Sequence, residues 1–236
     1  LSIFILPRGG PPDCDFCARR NECLIVRLRD RKVPLLVRQR NFKAGDRLLV
    51  EGEFASSVSV VKLGNVIVYR MGLDGCARPI ALNGPPTVGV HGFLGQRNQV
   101  SVASVSAGRL CEVSMDDLKP YSLRGEFTDL AMVGFRKIAA WSELMRLPGV
   151  VKQLSYMLLL LSSMQSAKVI ELPNQSVLAE LLGTTRETAG RALAVLKKEG
   201  GIRRLERKKF EVFGGVLMKQ LSRRAGRGAP SLSACD

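Results

Sequence analysis

From residue 47 to about residue 112 the chain is cut by glycine or proline about every 8 to 12 residues. The pieces between the cuts are rich in Val, Ile, Leu and Ser: LLVEG, SVSVVKLGNVIVYRM, ARPIALNG, VGVHGFLG, QVSVASVSAG and RLCEVSM. That rhythm predicts an antiparallel β sandwich or barrel, with corners at Asp46, Gly52, Gly64, Gly72 to Gly75, Gly84-Pro85-Pro86 and Gly95. Near Ser114-Met115-Asp116-Asp117-Leu118 the period becomes helical. A sheet first and helices after it is an α+β order.

Between Gly125 and Leu147, Phe127, Ala131, Gly134, Ile138, Trp141 and Met145 recur every three or four positions, while Lys137 and Glu143 lie off the stripe. A helix of about 20 residues with so narrow a seam predicts a coiled-coil contact between two copies, the alternative being a seam packed on its own domain. A second helix, over about residues 150 to 163, is apolar nearly all round and is expected to be buried. Next, Asn174 is placed to cap a short helix with Val177, Leu178, Leu181 and Leu182 on its face. Gly183 makes a turn, and Thr185 is placed to cap a helix that buries Thr188, Ala189, Ala192, Val195 and Leu196. Gly200-Gly201 ends it, and IRRLE, a basic turn at Arg207-Lys208-Lys209, and FEVF read as a two-stranded wing. Two helices around a glycine turn, followed by a wing, make a winged helix-turn-helix.

Charge points the same way. The chain has 36 Lys+Arg against 21 Asp+Glu, a net +15, the footprint of a protein that meets polyanions, nucleic acid first and an anionic membrane surface second. Residues 168–236 alone carry 14 basic and 7 acidic residues. Phosphate contacts are expected from Arg203, Arg204, Arg207, Lys208 and Lys209, although such a run is also compatible with a solvated face. The longest apolar run, Tyr156 to Leu161, is far short of the roughly 20 residues of a membrane span. The opening LSIFILPRGG lacks the basic start of a secretory signal, so the cytosol is the expected compartment, where cysteines more often serve metal or redox chemistry than disulfides. With one histidine, no Ser-His-Asp set, no phosphate loop and no HExxH, the parts of an enzyme are missing.

Three of the six cysteines stand in CDFCARRNEC, residues 14–23. By spacing alone, Cys14, Cys17 and Cys23 suit an iron-sulfur cluster, a zinc ion completed by another group, or a thiol-disulfide switch. Arg19 and Arg20 lie between the thiols, where positive charge offsets thiolates, or else are solvated loop residues. Cys76 reads as a hairpin-tip thiol on the roll's far surface, Cys235 lies in the tail, and the lone His91 reads as structural.

In the order sheet, long helix, winged helix-turn-helix, residues 12 to 220 resemble the CRP/FNR family of bacterial transcription regulators, and LLGTTRETAGRALAVLKKEG is the most specific piece. The resemblance implies an N-terminal antiparallel β-roll of the cyclic-nucleotide-binding type, a long dimerisation helix and a C-terminal winged helix-turn-helix. It divides the chain into a cysteine loop and sensor roll (1–118), dimerisation and linker helices (119–165), a DNA-binding domain (166–222) and a disordered tail (223–236). CDFCARRNEC resembles the cysteine motif of the FNR branch, and LCEVSMDDL the segment holding that branch's remaining cluster cysteine. The implied cofactor is a 4Fe-4S cluster on Cys14, Cys17, Cys23 and Cys111, which senses oxygen, or else nitric oxide, and holds the dimer together while intact. Four thiolates are the usual complement of a cubane. The implied partners are a second copy, double-stranded DNA with a two-fold operator, and RNA polymerase. An iron-sulfur electron carrier would not need the winged helix-turn-helix.

The same roll is a cyclic-AMP pocket in the CRP branch, but VGVHGFLG has Val90 where the ribose acid would stand, and Asn98-Gln99 fall where an Arg-Ser pair would, with Arg97 one residue away. In the family, the residues at the positions of Arg186, Glu187 and Arg191 meet base edges; Thr185 is a further candidate for a contact with the DNA backbone. The FNR branch has a small apolar residue at the position of Arg186 and Ser at that of Gly190, whereas Arg-Glu-x-x-Gly-Arg resembles the CRP branch. The expectation is a half-site nearer TGTGA than TTGAT, with an extra guanine read by Arg186, the alternative for Arg186 being a phosphate contact at the helix N-terminus.

Overall fold

The computed structural model describes residues 12–15, 17, 20–85, 88–89 and 97–223. The expected corners at Pro86 and Gly95, the cyclic-nucleotide position Val90, and Arg19, His91, Cys235 and the tail beyond residue 223 lie outside these residues.

A short helix α1 (Pro12–Asp15), a 3-10 turn (Arg20–Glu22) and α2 (Leu24–Asp30) precede the sheet strands. The strands are β1 (Val37–Phe42), β2 (Arg47–Leu49), β3 (Ser57–Leu63), β4 (Val66–Met71), β5 (Ala77–Asn83), β6 (Val88–Gly89), β7 (Ser101–Ser104) and β8 (Gly108–Ser114). They form two antiparallel four-stranded sheets, ordered β1-β8-β3-β6 and β2-β7-β4-β5. The sheet thus starts ahead of the Asp46 corner: β1 buries Val37 and Phe42, but its four intervening polar residues hide the alternation. At the β3–β4 corner, Gly64 has φ +94° and a Cβ there would lie 2.9 Å from the Ala107 carbonyl oxygen, so no other residue fits that turn.

Ser114 accepts from the Asp116 amide and starts α3 (Met115–Leu118), which is followed by α4 (Arg124–Arg146) and α5 (Val150–Gln165). After β9 (Val169–Glu171) come α6 (Gln175–Leu181), α7 (Arg186–Lys198), β10 (Ile202–Arg204), β11 (Lys209–Val212) and α8 (Gly214–Ser222). The wing is three-stranded, not two-stranded, because β9 pairs with β11 and buries Ile170. A three-residue strand is too short to show a period in sequence. No helix among the described residues is long and apolar enough to cross a membrane.

The largest core is built around α5, whose Leu154, Met157, Leu158 and Leu161 are fully buried, and it gathers Ile67 and Leu82 from the roll, Trp141 and Leu144 from α4, and Leu178 and Leu196 from the helix-turn-helix. Asn65 of the roll donates to the Glu171 carbonyl at 2.9 Å, joining roll and wing sheet. Because this core spans both halves of the chain, Leu158→Ala is expected to cost about 2–5 kcal/mol, read as a lowered midpoint in denaturant unfolding with both halves reporting the loss together. A second core joins α2 to the outer face of the first sheet and contains Cys14, Cys23 and Cys111 with Leu118 and Leu123.

Candidate functional site

Three consecutive turns bring the N-terminal cysteines into place: the Cys17 amide donates to the Cys14 carbonyl (3.4 Å), Arg20 to Cys17 (2.9 Å) and Cys23 to Arg20 (3.2 Å). Cys23 is the N-cap of α2, its carbonyl accepting from the Arg27 amide. Cys111 sits in mid-strand on β8, opposite Gln39 of β1 and Val60 of β3. The four thiols line one cavity of about 20 Å³, with Ile25, Val26, Val60, Val61 and Lys62 making up the rest of its wall. Cys14, Cys23 and Cys111 are buried, Cys17 is half-buried, and all four are free thiols. Cys76 is exposed beside the β4–β5 turn, away from this cavity. Among the described residues, no group of three or more His, Cys, Asp and Glu forms a set able to hold a metal ion as it stands. The thiols thus share a cavity rather than converge on a point.

Burial pushes the Cys111 thiol up to about 12, with the Cys23 sulfur adding to the effect. Burial is also the main cause that raises Cys14 and Cys23; on Cys23 the amides of Val26 and Ile25, at the start of α2, pull the other way. Lys62 lowers all three. Lys62 went unnoticed in the sequence because it owes its position to a register shift between Val61 and Leu63 of β3, and an irregularity of this kind re-aims a side chain. Of the two arginines weighed for this role, Arg20 turns to Asp15 at 3.5 Å in the open. Lys62→Met is expected to slow alkylation of the buried thiols at fixed pH without altering the fold, as followed by mass spectrometry of each cysteine peptide, because thiolate is the reacting form.

In the helix-turn-helix, Asn174 accepts from the Val177 amide and Thr185 from the Thr188 amide, so both caps stand as expected, and Gly183 turns between them at φ +60°. Ala189, Ala192 and Leu196 are buried, whereas Val195, expected inside, is 38% exposed. Arg186, Glu187 and Arg191 stand together on the exposed first turns of α7. Arg191 Nη2 donates to Thr188 Oγ1 at 3.2 Å, and the Thr185 and Thr188 hydroxyls are 3.0 Å apart. The Glu187 carboxyl is held below its ordinary range by its own amide and by the Thr185 hydroxyl, with Arg186 and Arg191 adding to the effect, so it stands ready as an acceptor. The wing cations are partly engaged. Arg203 pairs with Glu211, Lys209 with Glu206 at 3.1 Å, and Arg204 donates to the carbonyls of Glu206 and Arg207. Lys208 is half-buried and Arg207 is exposed.

On α4, Ala131, Ile138 and Met145 are exposed, and Ile138 is 69% so. Trp141 is not part of that surface: at 7% exposure it faces the chain's own core with Leu144. Phe135, 65% exposed, takes the place on the stripe that Gly134 and Trp141 were expected to fill. The exposed stripe is therefore Ala131, Phe135, Ile138, Ser142 and Met145, a four-three-four-three spacing that matches a heptad better than the stripe read from the sequence. The side chain of Phe127 lies outside the described residues. Between α4 and the roll lies a largely apolar cavity of about 1070 Å³, reached by Val61 and Val102 from the roll and by Lys137 and Trp141 from α4, and lined along its edge by the exposed stripe from Ala131 to Met145. Arg97, the nearest substitute for a phosphate-binding arginine, stacks over Phe54 at 4.2 Å and donates to the Gly52 carbonyl.

Residues 152–213 match the family model described as a Crp-like helix-turn-helix domain. No curated protein matches the chain by sequence. Among solved structures, FixK2 from Bradyrhizobium japonicum is similar at TM-score 0.65 and 18% identity, over 78% of this chain and 97% of its own. A CRP/FNR-family transcriptional regulator from Thermus thermophilus is similar at TM-score 0.58 and 23% identity, over 80% of this chain and 100% of its own. The c-di-GMP responsive global regulator CLP from Xanthomonas campestris is similar at 0.55 and 18%, over 75% and 94%. At these identities the solved structures carry the fold, a cyclic-nucleotide-type roll, a long helix and a helix-turn-helix with a small wing sheet, and the family model carries DNA binding.

Proposed function

We propose that this chain, a DNA-binding transcription regulator of the CRP/FNR type and not an enzyme, senses oxygen or nitric oxide through a 4Fe-4S cluster held by Cys14, Cys17, Cys23 and Cys111. The observation that carries the reading is that Cys111, far along the chain from the other three, lines the same cavity. The donor set suits the group: four thiols of soft character, with no carboxylate or imidazole in the wall among the described residues, are what a cubane takes. At about 20 Å³ the cavity has room for about one water, so the loop bearing Cys14 and Cys17 has to move outward from β8 to admit a cluster. When bound, the cluster supplies oxygen-sensitive chemistry. The chain's own residues anchor it to a rigid strand at Cys111 and to the head of α2 at Cys23. In this reading the exposed stripe of α4 pairs two copies, and the paired α7 helices meet half-sites about one helical turn apart, with RNA polymerase as a further partner.

Anaerobic purification followed by iron and acid-labile sulfide analysis tests this. About four of each per chain are expected; stoichiometric zinc with no sulfide overturns it. CLP is described as responsive to c-di-GMP. A nucleotide effector is the less supported reading for this chain, because Arg97 is engaged by Phe54 and Gly52.

For operator choice we propose that Arg186 reads a guanine, Glu187 a cytosine and Arg191 a second guanine. Arg186→Ala is expected to remove about 1–3 kcal/mol of discrimination at a single base while leaving the rest of the half-site unchanged, as read by selection from random DNA. Selection that returned TTGAT half-sites from the parent protein would contradict the assignment. Space does not require glycine at 190: a Cβ there meets only the Gln175 side chain, at 3.8 Å, so the serine of the FNR branch fits without strain.

A further inference from the structure

We propose that an ion-paired seam between α2 and the first half of α4, centred on Arg31 and Glu126, carries the state of the cysteine cavity to the dimer helix. The proposal rests on the cluster reading above for what is sensed, and on separate residues for how the signal travels.

Three observations place α2 as the moving part. Cys23 is a wall of the cavity and also the N-cap of α2, so any displacement of its sulfur acts on the first turn of that helix. Four of the seven residues of α2, Leu24, Ile25, Val26 and Leu28, are buried in the same core as Cys14, Cys23 and Cys111, so the helix cannot stay in place if the cavity rearranges. Its polar side reaches α4 at several points. Arg27 Nη1 meets Asp129 Oδ2 at 3.1 Å, and Nη1 of Arg31, the C-cap residue of α2, pairs with Glu126 Oε1, while the charge of Glu22, one residue before Cys23, favours the charged form of Lys137.

The placement of these contacts on α4 matters more than their number. At about 100° per residue, Glu126, Asp129 and Lys137 share one side of the helix, and Ala131, Phe135, Ile138 and Ser142 share the other. The first half of α4 is therefore held by the cysteine unit along one side, while the exposed stripe runs along another and lines the cavity that α4 shares with the roll. A shift or rotation of α2 passes directly to the surface that pairs two copies.

Exposed ion pairs are weak, each shifting an equilibrium by about 1.5- to 5-fold. Arg31–Glu126 is better protected. The Glu126 side chain is only 11% exposed, and its second oxygen, Oε2, is buried without a hydrogen-bond partner among the described residues. A carboxylate in that position leans mainly on Arg31, and removing it leaves only the more distant Arg27 to offset the charge.

The test is a charge-swap cycle in the full chain: Arg31→Glu, Glu126→Arg, and the two together. Each is purified anaerobically, assayed for iron and sulfide, and its dimer dissociation constant is measured by sedimentation before and after air. Both single variants are expected to keep the parent's iron and sulfide, while the air-induced change in dimerisation shrinks by about 5-fold or more, and the double variant is expected to restore it. Single variants that respond to air as the parent does overturn the proposal. So does a double variant that keeps its cluster but fails to recover, or a pair of single variants that lose the cluster, which would make these residues supports of the loop. If the parent itself holds no cluster, the sensing reading fails and the seam is judged by amide hydrogen exchange. Arg31→Glu should then raise exchange in residues 24–30 and 124–131 together, the swap should reverse it, and exchange that changes in only one segment overturns the seam.

Discussion

Cys111→Ser is expected to leave a folded protein with almost no bound iron or sulfide. Cys111 is fixed in mid-strand between β1 and β3, so no neighbouring residue of the strand can take its place. A serine hydroxyl matches the thiol in size but not as a ligand, since clusters are held by thiolate sulfur. In the buried site the hydroxyl costs about 1–3 kcal/mol if unpaired, a tolerable loss beside the two hydrophobic clusters it does not touch, so the circular dichroism of the variant should match the parent. On the proposed reading the variant should also fail to dimerise and to hold its operator, and the loss should approach the gap between specific and non-specific binding, about 10³-fold or more. Cys76→Ser is the control, because that thiol is exposed and lies apart from the cavity. An equal loss of iron in both variants would remove Cys111 from the proposed ligand set.

Ile138→Glu is expected to abolish dimerisation with little effect on the fold of the single chain. Ile138 is 69% exposed, and a substitution at such a surface position usually changes stability by less than about 0.5 kcal/mol. In a symmetric helix pair, however, each glutamate would be buried near its own copy. An uncompensated buried charge costs about 3–5 kcal/mol, so the dimer constant should weaken by about 10²-fold or more even with a full cluster. Sedimentation under anaerobic conditions reads this directly. Trp141→Ala, by contrast, removes a side chain from the chain's own core and should lower stability before it changes association. If Ile138→Glu stayed dimeric, the exposed stripe of α4 would not be the contact surface.

Features set by local chemistry were readable in the sequence. Asn174 and Thr185 cap their helices as expected because a capping side chain needs only its own neighbours. The β runs were visible because glycine and proline mark the corners between them. Features decided at a distance were not readable. Trp141 fits the helical period of Ile138 and Met145, and only its packing against α5 and the roll shows that it faces inward while Phe135 takes the outer stripe. Lys62 reaches the cysteine cavity through a strand irregularity that no residue type announces. The third strand of the wing is three residues long, and α2 reads as a mixed apolar and basic stretch until its buried side is seen against the sheet. The basic wing also shows the limit of reading charge along a chain, since Arg203 and Lys209 reach acidic partners inside the wing itself.

Whether cluster state controls operator binding can be measured directly. Anaerobically purified protein would be titrated onto a two-fold operator while small additions of air are followed by the visible absorbance of the cluster. The account predicts that operator affinity and dimer fraction fall in step with the cluster signal, and that Cys111→Ser shows no cluster signal, weak binding from the outset and no response to air. Tight operator binding that persists unchanged after the cluster signal is gone would contradict it.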